Sequence, residues 1–213
     1  MIKILIADDH AIFRHGLRQI LEENPDMFVG GEASNGQDVL DQVWRSDFDL
    51  LLLDINMPGM SGLEALKQLK TQKPKLKVLV LSMYPEEQYA IRALKAGASG
   101  YITKASASEE LIEAIRKVSQ GGKYVSASLV EKLLFDFEAD VDKPLHELLS
   151  DREYEVLCMI ASGKTVSQIA EELCLSVKTV STHRVRILEK MRMKNNAELT
   201  NYAIKQKLID ISD

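Results

Sequence analysis

Through residues 1–120, short apolar runs alternate with stretches whose apolar positions recur at helical spacing. Strands carry continuous or period-two patterning and helices a period of 3.6, so the alternation predicts βα units around a parallel sheet. Strands are predicted near 2–8, 28–33, 49–54, 77–82 and 100–103, and helices near 11–23, 36–46, 62–71, 86–96 and 107–119. Asn35 precedes the second helix, while Ser61-Gly62-Leu63-Glu64 and Ser106-Ala107-Ser108-Glu109 have the serine-to-glutamate spacing of a capping box. The expected fold of this half is α/β, a small five-stranded, doubly wound parallel sheet.

Gly121-Gly122 ends that pattern, and a short amphipathic stretch follows with Leu129, Leu133 and Leu134 at helical spacing. Asp136 to Pro144 is acidic and lacks strong periodicity, which reads as a linker. Beyond it the pattern is helical throughout. Ser150-Asp151-Arg152-Glu153 opens a helix running to about Ala161, and Gly163 breaks it. Thr165-Val166-Ser167-Gln168 caps a second helix through about Leu173, Ser176 a third through about Met191, and a fourth covers roughly 196–206. The expected organisation is an α/β domain at 1–122, a helical and acidic linker at 123–147, and an all-α, four-helix domain at 148–213.

Four apolar runs of the first half each stop at a polar residue. Lys3–Ala7 runs into Asp8-Asp9, Leu50–Leu53 into Asp54, Lys77–Leu81 into Ser82, and Tyr101–Thr103 into Lys104. In a parallel sheet the carboxyl ends of the strands share one edge, where α/β proteins place ligands. That edge then holds three carboxylates, a hydroxyl and an ammonium, a set suited to a divalent cation and a phosphoryl group. Asp8 and Asp9 supply one direct and one water-mediated ligand to Mg²⁺, with Asp54 facing them from the neighbouring strand. Without a cation the three carboxylates repel one another. With one, an aspartate can attack a phosphoryl group and form an aspartyl-phosphate, whose charge Lys104 and the Ser82 hydroxyl can meet.

Composition narrows the alternatives modestly. The 213 residues are 46% hydrophobic and 28% charged, and no apolar stretch approaches the roughly 20 residues needed to span a bilayer. Met1-Ile2-Lys3 leads straight into a strand and does not read as a signal peptide. Cys158 and Cys174 lie among apolar residues without a CxxC pair, as expected for buried thiols of a cytoplasmic protein. The four histidines show no metal-ligand spacing, so no zinc site is assigned. Residues 1–147 hold 17 basic against 23 acidic side chains, net −6, and residues 148–213 hold 10 against 9, net +1. A net charge of +1 neither argues for nucleic acid nor excludes it.

The strand-end set, in this order along βα units, resembles a response-regulator receiver domain of the flavodoxin/CheY-like type. The matching residues are Asp8 and Asp9, Asp54 within Asp54-Ile55-Asn56-Met57-Pro58-Gly59, Ser82 and Lys104. The resemblance implies that Asp54 accepts phosphate from a sensor histidine kinase or small phosphodonor. It implies that Asp9, Asp54 and the backbone carbonyl of Asn56 ligate Mg²⁺, with Asp8 acting through water. Lys104 would hold the phosphate, Ser82 close on it, and Tyr101 serve as the switch aromatic. Two departures stand out. Ala105 follows Lys104 where many receivers have a cis proline, and a cis bond before alanine costs roughly 2.5–4 kcal/mol, so that geometry stays open. Met83 follows Ser82 where a smaller residue is common, and is expected to screen the phosphoryl group from water and slow its loss.

In the second half, Thr165–Leu173 and Ser176–Met191 have helix-turn-helix proportions, a spacing that helix pairs in plain bundles share. Val180, Ile187, Leu188 and Met191 form one apolar face of the longer helix, and Lys178, Ser181, Thr182, Val185, Arg186 and Glu189 lie largely on the other. Leu149-Ser150-Asp151-Arg152-Glu153, Ile169-Ala170 and Thr179-Val180-Ser181-Thr182-His183 resemble the LuxR-type helix-turn-helix, and the whole chain is similar to NarL/FixJ-family transcriptional regulators. By that resemblance Ser181, Thr182 and Val185 face base edges, and Lys178, Thr179, Arg186 and Lys190 contact phosphates. Val185 stands where relatives often carry a polar residue, so contact with a thymine methyl is expected there. Arg184 is left open and His183 is read as a packed helix residue. The last helix, through Leu199, Tyr202 and Ala203, is packed within the domain by its own pattern and is a homodimer contact by the resemblance.

The expected function is a phosphorylation-switched DNA-binding transcriptional regulator in the cytoplasm, not an enzyme and not membrane-bound. Its partners would be a sensor histidine kinase, promoter DNA, a second copy of itself on DNA, and RNA polymerase. Two readings compete. A Mg²⁺-dependent phosphohydrolase would also use an aspartyl-phosphate, but Asn56 stands where its general acid belongs. An adaptor whose helical domain no longer binds DNA would lack salt-dependent duplex binding.

Overall fold

The computed structural model describes residues 1–126, 129–130 and 144–209. Leu133, Leu134 and the linker residues from Asp136 to Lys143 fall outside that range. Contacts divide the chain into two units, Met1–Val130 and Glu131–Asp213.

In the first unit the elements are β1 (Ile2–Ala7), α1 (Ala11–Glu22), β2 (Met27–Ala33), α2 (Gly36–Arg45), β3 (Leu50–Asp54), α3 (Gly62–Gln72), β4 (Lys77–Ser82), α4 (Glu86–Lys95), β5 (Gly100–Thr103) and α5 (Ala107–Ser119). The five strands pair in parallel in the order β2-β1-β3-β4-β5. The order reverses between β1 and β3, which makes their carboxyl ends the switch point where α/β sheets bind ligands. Leu50 to Leu53 are all buried, as a central strand covered on both faces requires. One face of the sheet contributes Ile4, Ile6, Leu50 and Leu52 to a core closed by Leu17 and Leu21 of α1 and Leu111 and Ile115 of α5.

Local chemistry sets most helix starts. Asn35 accepts from the Asp38 backbone N–H at 2.9 Å. Ser61 and Glu64 exchange both bonds of a capping box. The box expected at Ser106 does not form. A capping serine needs extended backbone, and Ser106 is already helical (φ −90°, ψ −5°), with its hydroxyl 3.1 Å from Thr103 Oγ1 instead.

The second unit opens with a 3₁₀ turn at Leu145–Leu148, followed by α6 (Asp151–Ala161), α7 (Val166–Glu172), α8 (Val177–Met191) and α9 (Asn196–Lys205). Capping boxes form at Ser150/Glu153 and Thr165/Gln168, and Ser176 caps α8. Each helix ends in a left-handed residue: Gly163 (φ +86°), Cys174 (+52°), Arg192 (+55°) and Lys207 (+55°). The backbone N–H of the next residue then reaches the carbonyl five positions back, as Leu175 does to Ala170 at 2.8 Å. Cys158 is buried as expected, but Cys174 is exposed, because it occupies this turn and not the apolar face of α7.

Candidate functional site

The four strand ends meet as the alternation predicts. Asp8, Asp54 and Ser82 are buried, and Asp9 is exposed at the rim. Asp54 owes its position to a close approach: the Gly62 N–H donates to the Ile55 carbonyl at 2.9 Å, and a Cβ on Gly62 would stand 1.9 Å from the Asp54 carbonyl oxygen. Only glycine fits there.

Lys104, with 5% of its side chain exposed, places its ammonium 2.5 Å from Asp8 Oδ2 and 2.6 Å from Asp54 Oδ2. Burial works against that charge, but Asp54 and Asp8 together hold the ammonium above its ordinary range. Burial pushes the Asp54 carboxyl up to about 6, with Asp8 adding to the rise and Lys104 opposing it. Carboxylates crowded under such desolvation favour a bound cation.

Asp8, Asp9, His10 and Asp54 each offer a ligand atom, all within 4.8 Å of one another. Oxygen dominates the set, and hard oxygen donors fit Mg²⁺. His10 lies outside the site expected from the sequence, where the histidines show no metal-ligand spacing among themselves. Its position directly after Asp8-Asp9 is what places it at the strand end. Its backbone N–H donates to Asp8 Oδ1 at 2.8 Å, and its Nδ1 lies 2.8 Å from Asp9 Oδ1.

Asn56 turns its backbone N–H to Asp54 Oδ1 at 3.2 Å, and its side-chain amide donates to the Tyr84 hydroxyl at 3.1 Å. The Tyr84 backbone N–H donates to Ser82 Oγ at 3.1 Å, and the Tyr101 hydroxyl donates to the Tyr84 carbonyl at 2.8 Å. Tyr84 thus ties the loop after Asp54 to both expected switch residues. Nothing in the sequence singles it out, because its role is set by its contacts with Asn56 and Tyr101, both remote in the chain. Tyr101 is buried, and burial holds its phenol above the ordinary value. Among the described residues no peptide is cis, so the bond between Lys104 and Ala105 is trans. Met83 is 73% exposed, on the solvent side of the loop after Ser82.

On α8, Val180, Ile187 and Met191 are buried, while Leu188 is half-buried. Lys178, Ser181, Thr182, Val185, Arg186 and Glu189 line one shallow concavity on the opposite face. Thr179 is half-buried at the helix start, its Oγ1 2.8 Å from the capping Ser176 hydroxyl. Lys190 is not a free cation: its ammonium lies 2.6 Å from Glu153 Oε2. Arg184 donates through Nε to Asn196 Oδ1 at 2.6 Å, which settles its direction as inward to the domain. His183 is half-buried, in keeping with a packed residue.

The dimer contact expected at Leu199, Tyr202 and Ala203 needs correction. Leu199 and Ala203 are fully buried, and the Tyr202 hydroxyl lies 3.0 Å from His146 Nδ1, so this face of α9 packs inside the monomer. The face of α9 left open carries Ala197, Asn201 and Ile204.

Residues 4–116 match the response regulator receiver domain family, and residues 147–203 match the luxR family of bacterial regulatory proteins. The oxygen regulatory protein NreC of Staphylococcus epidermidis is 41% identical over 216 residues, covering 98% of this chain and 99% of that protein. Among solved structures, RcsB of Salmonella enterica serovar Typhimurium bound to promoter rprA with phosphomimetic BeF3- is similar at TM-score 0.64 and 28% identity, covering 95% of this chain and 98% of the other. A structure of two RcsB dimers bound to two parallel DNAs matches at TM-score 0.59 and 30% identity, covering 95% of this chain and 98% of that chain. No helix among the described residues is long and apolar enough to cross a membrane.

Proposed function

The chain belongs to the two-component response regulators of the NarL/FixJ type, a receiver joined to a luxR-family DNA-binding domain, and from that premise we propose how its residues divide the work. It is a phosphorylation-switched transcriptional regulator that binds DNA as a dimer. Asp54 is the phosphoacceptor. Its carboxylate oxygen forms a P–O bond as the P–N bond of a sensor kinase's phosphohistidine breaks, and the imidazole leaves with the electron pair and takes up a proton.

Asp9, Asp54 and the Asn56 carbonyl would hold Mg²⁺, with Asp8 acting through water. When bound, the cation would supply positive charge that lets phosphoryl oxygens approach the carboxylates. Lys104 passes from the Asp54 carboxylate to a phosphoryl oxygen, and Ser82 donates its hydroxyl to another. The observation that carries this reading is the buried ammonium of Lys104 between Asp8 and Asp54, at 2.5 and 2.6 Å. Movement of Ser82 reaches Tyr101 through Tyr84 and biases an existing equilibrium of the whole protein.

In the helical domain, Ser181, Thr182 and Val185 meet base edges while Lys178, Thr179 and Arg186 meet phosphates. Lys190 joins them only by exchanging Glu153 for a phosphate. The second copy docks on the open face of α9, through Ala197, Asn201 and Ile204. The partners are a sensor histidine kinase, promoter DNA and RNA polymerase, in the cytoplasm. To test the switch, wild type and Asp54→Asn are incubated with acetyl phosphate and Mg²⁺ and titrated with the protein's own promoter DNA. Wild type is expected to gain one phosphoryl group, dimerise and bind roughly 5- to 150-fold tighter, and the variant to do none of these. Equal affinities and oligomeric states with and without phosphorylation would refute it.

A further inference from the structure

The ammonium of Lys104 has a third neighbour besides the two carboxylates. It lies over the ring face of Phe13, 4.7 Å from the centroid. Phe13 sits on the first turn of α1, half-buried, packed against the core beneath the sheet edge. A lysine ammonium carries three N–H groups; one donates to Asp54 Oδ2 at 2.6 Å, and the charge also pairs with Asp8 Oδ2 at 2.5 Å. With 5% of the side chain exposed, little water reaches the rest of it. The negative face of an aromatic ring is then the partner available to the remaining charge.

We propose that Phe13 is a positioning residue for phosphoryl binding, holding the Lys104 ammonium at the site through its ring face. The inference rests on the reading above, that Lys104 takes up a phosphoryl oxygen. Phosphorylation turns the Asp54 carboxylate into an acyl phosphate and moves the negative charge outward onto the phosphoryl group. Of the three neighbours of the ammonium, Asp54 changes, while Asp8 and the Phe13 ring stay. The ring therefore keeps the cation charged, dry and in place during the transfer. An aliphatic side chain of similar bulk fills the same space but offers no charge at its face.

That difference is the test. Full-length wild type, Phe13→Leu and Phe13→Tyr are compared for binding of beryllofluoride in saturating Mg²⁺, for Mg²⁺ affinity alone, and for thermal stability. Cation–π contacts at exposed to desolvated sites correspond to roughly 2- to 30-fold in affinity. Phe13→Leu is expected to weaken beryllofluoride binding within that range, Phe13→Tyr to stay close to wild type, and Mg²⁺ affinity to be the same in all three. If Leu and Tyr behave alike, Phe13 is only a core residue and the proposal fails. If Phe13→Leu does not fold, Phe13→Met provides the aliphatic comparison on the same terms. Failure of the wild type itself to bind beryllofluoride would instead overturn the phosphoryl-site reading, and this proposal with it.

Discussion

At the scale of single residues, the site depends on contacts that leave no room for substitution. Gly62 is the sharpest case. A methyl group there meets the Asp54 carbonyl at 1.9 Å, and the obstacle is backbone, which cannot swing aside as a side chain would. Gly62→Ala should destabilise the receiver by about 2 kcal/mol or more, in the range of overpacked sites, and slow phosphorylation of Asp54, as urea unfolding and acetyl-phosphate labelling would record. Tyr84 supplies a gentler probe. Tyr84→Phe keeps the ring stacked on Tyr89 at 4.8 Å and the backbone bonds to Ser82 and Tyr101, and removes the acceptor for Asn56. A stability loss of about 0.5–1.5 kcal/mol is expected. The lifetime of the phosphoryl group should change with it, since the freed Asn56 amide adjoins Asp54; an unchanged lifetime would show that the bridge plays no part.

At the scale of elements, helix ends in the DNA-binding domain carry both strain and charge. Cys174 adopts a left-handed conformation that glycine enters without cost and other residues enter at about 1 kcal/mol. Because its side chain is exposed, Cys174→Gly loses little packing and should raise stability by about 0.5–1 kcal/mol in thermal melts. Glu153 has two duties, accepting from the Ser150 N–H at 2.9 Å in the capping box and pairing with Lys190 at 2.6 Å. Burial pushes its pKa up, but Lys190 and the Ser150 N–H outweigh burial and hold the carboxyl below its ordinary value. A depressed carboxyl contributes stability above the pKa of the unfolded chain and loses it as pH falls through the folded value. Glu153→Gln can keep the capping bond without the charge. It should be less stable than wild type near pH 7, by about 1–3 kcal/mol, and the two melting curves should converge in acid. The same variant frees Lys190 for phosphate, so the salt dependence of DNA binding should steepen by roughly 0.9 in log–log slope.

At the scale of the whole molecule, an acidic α/β half receives the signal and a nearly neutral helical half delivers it. The net charges of −6 and +1 leave no broad basic footprint, so affinity must come from the few cations on α8 and from two copies acting together. DNA binding should therefore depend steeply on protein concentration and on phosphorylation. Chelation of divalent cations before acetyl phosphate is added should abolish both the dimer and the tight complex, while chelation after phosphorylation and before hydrolysis should leave existing complexes intact. Gel shifts run in the two orders of addition would distinguish a cation needed for phosphoryl transfer from one needed for DNA contact.

Most of the architecture was legible along the chain because its causes are local. Apolar period, capping serines and threonines, and glycine stops place the described helices and strands to within about two residues, the usual fraying margin. The strand-end chemistry was legible for a related reason: once strands are parallel, their carboxyl ends must share an edge, so Asp8, Asp54, Ser82 and Lys104 come together whatever the details. Where local and tertiary demands compete, the sequence pattern misleads. Ser106 has the spacing of a cap but spends its hydroxyl on Thr103, and Cys174 lies among apolar residues but falls on a turn; Leu199 and Ala203 turn inward as their own pattern indicates, against the dimer contact that the resemblance implied. Which cation meets which anion, and which ring covers it, depends on distances between elements far apart in the chain. Lys104 with Phe13, Lys190 with Glu153, and Tyr84 with Asn56 were decided only by the packing of the finished domains.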